Sequence, residues 1–234
     1  MFSIADNIQN VRKRIQKATN DATREIDAVQ LLAVTKTRSA EVLHQAMMAG
    51  LNCFGENYLN EALAKQVALR GLCPADQYNS LIWHFIGPIQ SNKTKAIAEN
   101  FDWVHSVDRL KIAQRLNDQR LLKLDALNIC IQVNVDEEDS KSGVLLTEVD
   151  AFAAELAKFP RLKLRGLMCI PNAQQGESGL KESFLKMKMQ FKKMQAEYPD
   201  LTTLSMGMSG DIELAIECGS TLVRVGTSLF GARE

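Results

Sequence analysis

Proline is scarce in this chain, with 5 in 234 residues, and glycine reaches only 13; collagen-like and linker-like architectures are therefore excluded. No excess charge of one sign exists, because 28 Lys and Arg meet 28 Asp and Glu. Such a balance sets up no global field toward nucleic acid, although it leaves room for a local basic patch. The five cysteines (Cys53, Cys73, Cys130, Cys169 and Cys218) are widely spaced and include no C-x-x-C pair. A disulfide framework and a zinc site are thus not expected, and the thiols fit a reducing cytosol. No apolar run reaches membrane-spanning length, and the segment 1–15 is interrupted by Asp6, Asn7, Asn10, Arg12, Lys13 and Arg14, unlike a secretory leader. The expectation is a cytoplasmic protein with no nucleic-acid or membrane partner. What is present, 46% hydrophobic and 24% charged residues, is ample for a continuous core.

Ile4, Ile8, Val11, Ile15 and Ala18 recur at helical spacing, which predicts an opening helix ending before Gln30. After it, short apolar runs alternate with helical segments. Leu31–Lys36 reads as a strand buried on both faces, followed by Ser39 at an N-cap position and Gly50 at a helix end. Further strands are predicted at 52–57, 81–87, 103–107, 127–135, 163–170, 203–207 and 221–226, each but the last leading into a helix. Strict alternation demands a parallel sheet. Eight units in this length match a closed (β/α)₈ TIM barrel, with residues 1–27 as an extra N-terminal helix packed on a single domain spanning 1–234. An open doubly wound sheet is the alternative, but no G-x-G-x-x-G or P-loop motif supports it. Asn172–Ser178 reads as a mobile loop.

Barrel enzymes work at the C-terminal ends of their strands. There the sequence ends the first strand in Lys36 and the second in Glu56-Asn57. His84 and Gly87-Pro88 belong to the third, Gly207-Met208-Ser209 follows the seventh, and Arg224 precedes Gly226-Thr227 on the eighth. A lysine finishing a buried strand either snorkels to water or lies in the mouth, where desolvation and nearby cations make it a Schiff-base nucleophile. Ser209 and Gly226-Thr227 offer a hydroxyl and backbone N–H groups where barrels hold phosphate. The plain alternatives are an N-cap for Ser209 and a turn for Gly226. Lysine and phosphate cradle together suggest either an aldolase acting on a sugar phosphate or a site for pyridoxal 5′-phosphate (PLP). Arg224, on the strand face shared with Gly226, favours the second. An aldolase would also want a proton shuttle, for which Glu56 is the only candidate.

The segments Ala33-Val34-Thr35-Lys36-Thr37, Phe54-Gly55-Glu56-Asn57-Tyr58, Trp83-His84-Phe85-Ile86-Gly87-Pro88 through Lys93, Ser140-Lys141-Ser142-Gly143, Arg165-Gly166-Leu167-Met168, Met206-Gly207-Met208-Ser209 and Val223-Arg224-Val225-Gly226-Thr227 run in order along nearly the whole chain. In them the chain resembles the pyridoxal phosphate homeostasis protein family. That resemblance implies the barrel of the alanine-racemase type (PLP fold type III) and PLP held as a Schiff base on Lys36. It further implies phosphate bound by Ser209 and the Gly226-Thr227 backbone, Arg224 facing the pyridine nitrogen, and Asn57 and His84 as cofactor-binding residues at the mouth. The departures are mild: Arg38-Ser39 stand where a basic residue and proline are common, and Ile89 replaces a usual leucine.

An arginine keeps its proton and would leave the ring nitrogen unprotonated, a weaker electron sink than with a carboxylate partner. Racemisation also needs a second acid/base on the opposite face, and of Tyr58, Tyr78 and Tyr198 only Tyr58 is expected near the mouth. The expectation is therefore a PLP-binding protein of intracellular vitamin B6 homeostasis with little or no turnover, acting as a monomer, with PLP-requiring apoenzymes as possible recipients. The alternatives are a racemase-type PLP enzyme and a binding module without cofactor. The stripe Phe184, Met187, Phe191 and Met194 reads as the packed side of an outer helix. His44 and His105 read as packing or surface residues, and Cys130 and Cys169 as small buried hydrophobes.

Overall fold

The computed structural model describes residues 3–138 and 141–232; Ser140 of the quoted motifs lies outside them. The chain opens with α1 (Ile4–Asp21), capped by a reciprocal Ser3–Asp6 box. Its buried face is Ile8, Val11, Ile15 and Ala18, the stripe that the spacing predicts. The alternating region follows as β1 (Gln30–Val34), α2 (Ala40–Met48), β2 (Cys53–Glu56), α3 (Leu59–Leu72), α4 (Ala75–Asn79), β3 (Ile82–Phe85), α5 (Thr94–Asn100), β4 (Trp103–Val107), α6 (Leu110–Gln119) and β5 (Leu127–Asn134). It continues with β6 (Val144–Leu145), α7 (Val149–Leu156), β7 (Leu162–Cys169), α8 (Gly176–Gln195), β8 (Thr203–Ser205), α9 (Ile212–Glu217), β9 (Leu222–Val225) and α10 (Thr227–Phe230).

Every pairing is parallel, and the ring β1-β2-β3-β4-β5-β7-β8-β9 closes through β1–β9 and β4–β5. This is the closed eight-stranded barrel, and the open-sheet alternative is excluded. The two-residue β6 pairs only with β5, outside the ring. The expected loop at 172–178 is instead a 3₁₀ turn, Ala173–Gln175, running into α8. Gly176 has φ +71°, a left-handed value that lets the chain change direction and start the helix at once.

Most of the core lies between barrel and helices. Phe184, Met187, Phe191 and Met194 of α8 are all buried there, so the stripe is packing. Inside the barrel a small apolar plug, Leu32, Cys53 and Leu222, packs with Ile82 and Ile86. Strands β7 and β8 approach so closely that a Cβ on Gly166 would lie 1.6 Å from the Thr203 carbonyl oxygen, and only glycine fits. Cys130 and Cys169 are buried, and desolvation pushes both thiols up to about 12, so neither offers a thiolate.

Candidate functional site

At the C-terminal end of the barrel a cavity of about 330 Å³ brings together Lys36, Asn57, Ser209, Arg224, Gly226 and Thr227 with Arg38, Ile86, Ile170 and Met208. Six of the seven expected site residues thus share one cavity. Its charged lining is Lys36, Arg38 and Arg224, with no carboxylate among the described lining residues. Such a wall favours an anion with several negative charges. A larger crevice of about 660 Å³ lies elsewhere, between α1, α9 and the start of α8. It mixes Arg14 and Lys17 with Asp21, Glu177, Asp211, Glu213 and Glu217, so it carries no comparable preference.

The loops after β8 and β9 are tied to each other and to α1. The loop 207–211 is shaped by Met208 N–H donating to Asp211 Oδ1 at 2.5 Å. Asp211, rather than Ser209, occupies the N-cap position of α9. Ser209 Oγ instead accepts the Ser228 N–H at 3.3 Å, tying the loops after β8 and β9 together and leaving its own proton to donate outward. The first intrahelical bonds of α10 run from the Leu229 and Phe230 N–H groups to the Gly226 carbonyl, so the N–H groups of Thr227 and Ser228 lie ahead of the first intrahelical donor. From α1, Arg14 places both Nη atoms 3.3 Å from the Ser209 carbonyl oxygen and pairs with Glu213 at 2.7 Å. Asn7 of the same helix donates to the Leu229 carbonyl at 3.0 Å. Arg38 donates to the carbonyls of Gly231 and Ala232, at 2.6 and 2.9 Å, and fixes the last described turn at the rim. Sequence reasoning missed Asn7, Arg14 and Arg38, because their partners lie some 190–220 residues away along the chain.

Arg224 is buried and donates to the Ser205 carbonyl at 2.7 Å, to Ser205 Oγ at 2.8 Å and to the Cys169 carbonyl at 2.8 Å. Burial lowers its pKa from the ordinary arginine value, yet three hydrogen bonds hold it as a guanidinium donor. Asn57 follows β2, and its Oδ1 is buried with no hydrogen-bond partner. A Cβ on Gly87 would lie 2.2 Å from the Asn57 carbonyl oxygen, so glycine is required for the loop after β3 to press on Asn57.

One expected site residue lies away from the cavity. His84 does not line the cavity: it sits inside the barrel, 1% exposed, with Nδ1 2.9 Å from His105 Nε2. His105 Nδ1 in turn lies 3.0 Å from Ser205 Oγ. Desolvation brings His84 down to about 3 and, with the neighbouring His84 and Arg224 charges, drives His105 well below the usual range. Burial favours the neutral form of both rings, and a chain of contacts runs from His84 through His105 and Ser205 to Arg224 on the cavity wall. Glu56, the one candidate shuttle for the aldolase alternative, is buried against Lys65 and Thr35 and does not line the cavity. Burial raises its pKa, opposed by Lys65 and the Thr35 hydroxyl.

Comparison with known proteins gives this geometry its context. The family model for the N-terminal domain of alanine racemase matches residues 3–234. Proteins named pyridoxal phosphate homeostasis protein match throughout: 50% identical over 234 residues in Pseudomonas aeruginosa, covering 100% of this chain and 97% of the relative, and 46% in Escherichia coli, covering 100% and 98%. The chain belongs to the pyridoxal phosphate homeostasis protein family. Among solved structures, PipY of Synechococcus elongatus superimposes with a TM-score of 0.85 without PLP and 0.83 with PLP bound. The identities are 34% and 33%, over 98% of this chain and 100% of PipY. Alanine racemase from Corynebacterium glutamicum shares the fold, with a TM-score of 0.70 at 14% identity, covering 98% of this chain and 61% of the racemase. Family membership accounts for the barrel, and the cavity lies at the end of the strands where such barrels work.

Proposed function

We propose that this chain binds pyridoxal 5′-phosphate at the barrel mouth and serves its homeostasis, with little or no turnover. The observation that carries the reading is that Lys36, Ser209, Arg224, Gly226 and Thr227 line one cavity whose charged groups are all cationic. The names of the relatives and the PLP-bound PipY structure support it. When bound, the cofactor supplies an aldehyde for Lys36 and an aromatic ring as electron sink. Ser209 Oγ and the N–H groups at Gly226 and Thr227 hold the phosphate, Arg38 on the cavity wall adds positive charge, and Arg14, neutralised by Glu213, braces the Ser209 carbonyl from α1. Asn57 Oδ1, buried without a partner, offers an acceptor on the cavity wall. Arg224 keeps its proton and presents it without yielding it, so the protein withholds the charge that a carboxylate partner would secure at a ring nitrogen.

None of Tyr58, Tyr78 and Tyr198 is among the cavity-lining residues. Tyr58 is 53% exposed, and Tyr78 lies under Arg70 at 4.9 Å. A tyrosine acid/base across from Lys36, as racemisation requires, has no candidate among them. Names of relatives that denote homeostasis rather than catalysis point the same way. The ring of strands closes within one chain, which supports a single domain acting as a monomer. No helix among the described residues is long and apolar enough to cross a membrane. The test is to load the protein with PLP, assay a panel of amino acids, and compare activation of PLP-requiring apoenzymes with activation by free PLP. The expected outcome is no racemisation or decarboxylation at ordinary enzyme rates, together with activation of at least one apoenzyme. Turnover at such rates would contradict the reading.

A further inference from the structure

A buried ion cluster beside the cavity has no part in the account above. Lys65, on α3, is 5% exposed, and its Nζ meets three acceptors: the Thr35 carbonyl at 2.6 Å, Glu56 Oε1 at 2.8 Å and Glu61 Oε1 at 2.5 Å. An ammonium has three donors, so the count is complete. The same two carboxylates reach further. Glu56 Oε1 also accepts the Thr35 hydroxyl at 2.6 Å, and Glu61 Oε1 accepts the Thr37 N–H at 2.5 Å. The cluster therefore grips the residue before Lys36 and the residue after it.

The backbone there needs gripping. Arg38 N–H donates to the Thr35 carbonyl at 3.1 Å, which makes 35–38 a tight turn. Thr37 has φ +64°, the left-handed region that a β-branched residue adopts only under constraint. The turn stands Lys36 at its second position, on the cavity wall. Glu56, Glu61 and Lys65 are not among the residues lining that cavity, so their action on it passes through the turn.

We propose that Glu56, Lys65 and Glu61 are positioning residues that hold the strained turn and thereby fix Lys36 for its reaction with the cofactor aldehyde. This rests on the reading that Lys36 is the amine that takes pyridoxal 5′-phosphate. In that step the lysine nitrogen replaces the aldehyde oxygen, which leaves as water with the two amine protons, and added cyanoborohydride reduces the product to a stable secondary amine.

The experiment measures the rate of cyanoborohydride trapping on Lys36, located by peptide mapping, in the full chain and in Glu61→Ala, Glu61→Gln and the double variant Glu56→Gln/Lys65→Met. Glu61 is part-exposed, so Glu61→Ala is expected to keep its melting temperature within about 3 °C of the parent. Its trapping is expected to slow about tenfold, because a reacting group displaced by a fraction of an ångström loses rate steeply. Hydrogen exchange at the Thr37 amide, measured without any cofactor, should accelerate in the same variant. Glu61→Gln keeps an acceptor for that amide and should return trapping to within about twofold of the parent. The double variant removes both buried charges together and spares the fold an unpaired ion; its trapping should stay slow even where its melting temperature is normal. Trapping at the parent rate in Glu61→Ala, failure of Glu61→Gln to restore it, or unchanged exchange at Thr37 overturns the proposal. If the parent chain itself gives no adduct on Lys36, the underlying reading falls and takes the proposal with it, a result distinct from equal rates in parent and variant.

Discussion

Arg224 concentrates the residue-scale chemistry. Its three acceptors, two carbonyls and a hydroxyl, are buried; truncation takes this donor from both carbonyls, while Ser205 Oγ keeps His105. Arg224→Ala should therefore lower stability in urea by about 2 kcal/mol or more, given roughly 1–3 kcal/mol for each orphaned buried group; an unchanged unfolding midpoint would contradict this. Behind it, His84 and His105 have folded pKa values below the unfolded 6.5. As pH falls below that value the unfolded chain binds protons first, so stability is lost between about pH 6.5 and pH 3, at up to roughly 1.4 kcal/mol per pH unit for each ring. Urea titrations at pH 7, 6, 5 and 4 should show this slope reduced in His84→Leu/His105→Leu; an unaltered slope would refute it. That Lys36, Ser209, Gly226 and Thr227 meet at one cavity was legible in the sequence because they stand at strand ends, where barrel chemistry collects. The role of His105 was not, since a lone histidine on a strand reveals no partner, and Ser205 lies 100 residues further on. Lys65 was hidden for a similar reason: a lysine in an amphipathic helix reads as solvated until the turn it grips is seen.

Among the elements, the glycine of β7 and the helix α1 make the sharpest claims. With the Thr203 carbonyl where a Cβ on Gly166 would have to go, Gly166→Ala must push β7 from β8. A loss beyond about 3 kcal/mol is expected, in the range reserved for severe backbone or packing conflicts, and a parent-like melting curve would show that the strands can yield. Helix α1 braces the loops after β8 and β9 through Asn7 and Arg14. Arg14→Ala should weaken PLP binding three- to tenfold, about 0.7–1.4 kcal/mol, while leaving Lys36 reactive; equal affinity by fluorescence titration would remove α1 from the site. The stripe of α1 and the apolar runs of the barrel strands were readable because burial on one or both faces leaves a periodic trace. The strand β6, with two residues, and the five-residue α4 are too short to leave one. The start of α8 was misread as loop because its Gly, Gln and Ser content suits either state until Gly176 turns the chain.

At the scale of the whole molecule, the (β/α)₈ ring followed from counting alternations, because parallel strands linked by helices have few ways to close. The closed barrel converges separate loops on one end, and a ligand held there stabilises the native state by mass action. PLP at one hundred times its dissociation constant should add about 2.7 kcal/mol, raising the melting temperature by roughly 5–10 °C for a chain of this length, and Lys36→Ala should lose most of that rise. A rise of the same size in Lys36→Ala would mean that the ligand is held without the lysine.

The most direct measurement is borohydride reduction of the PLP-loaded chain followed by peptide mapping. The account predicts one pyridoxyl group, on the peptide carrying Lys36. A pyridoxyl group on another lysine in its place, or on none, would contradict it.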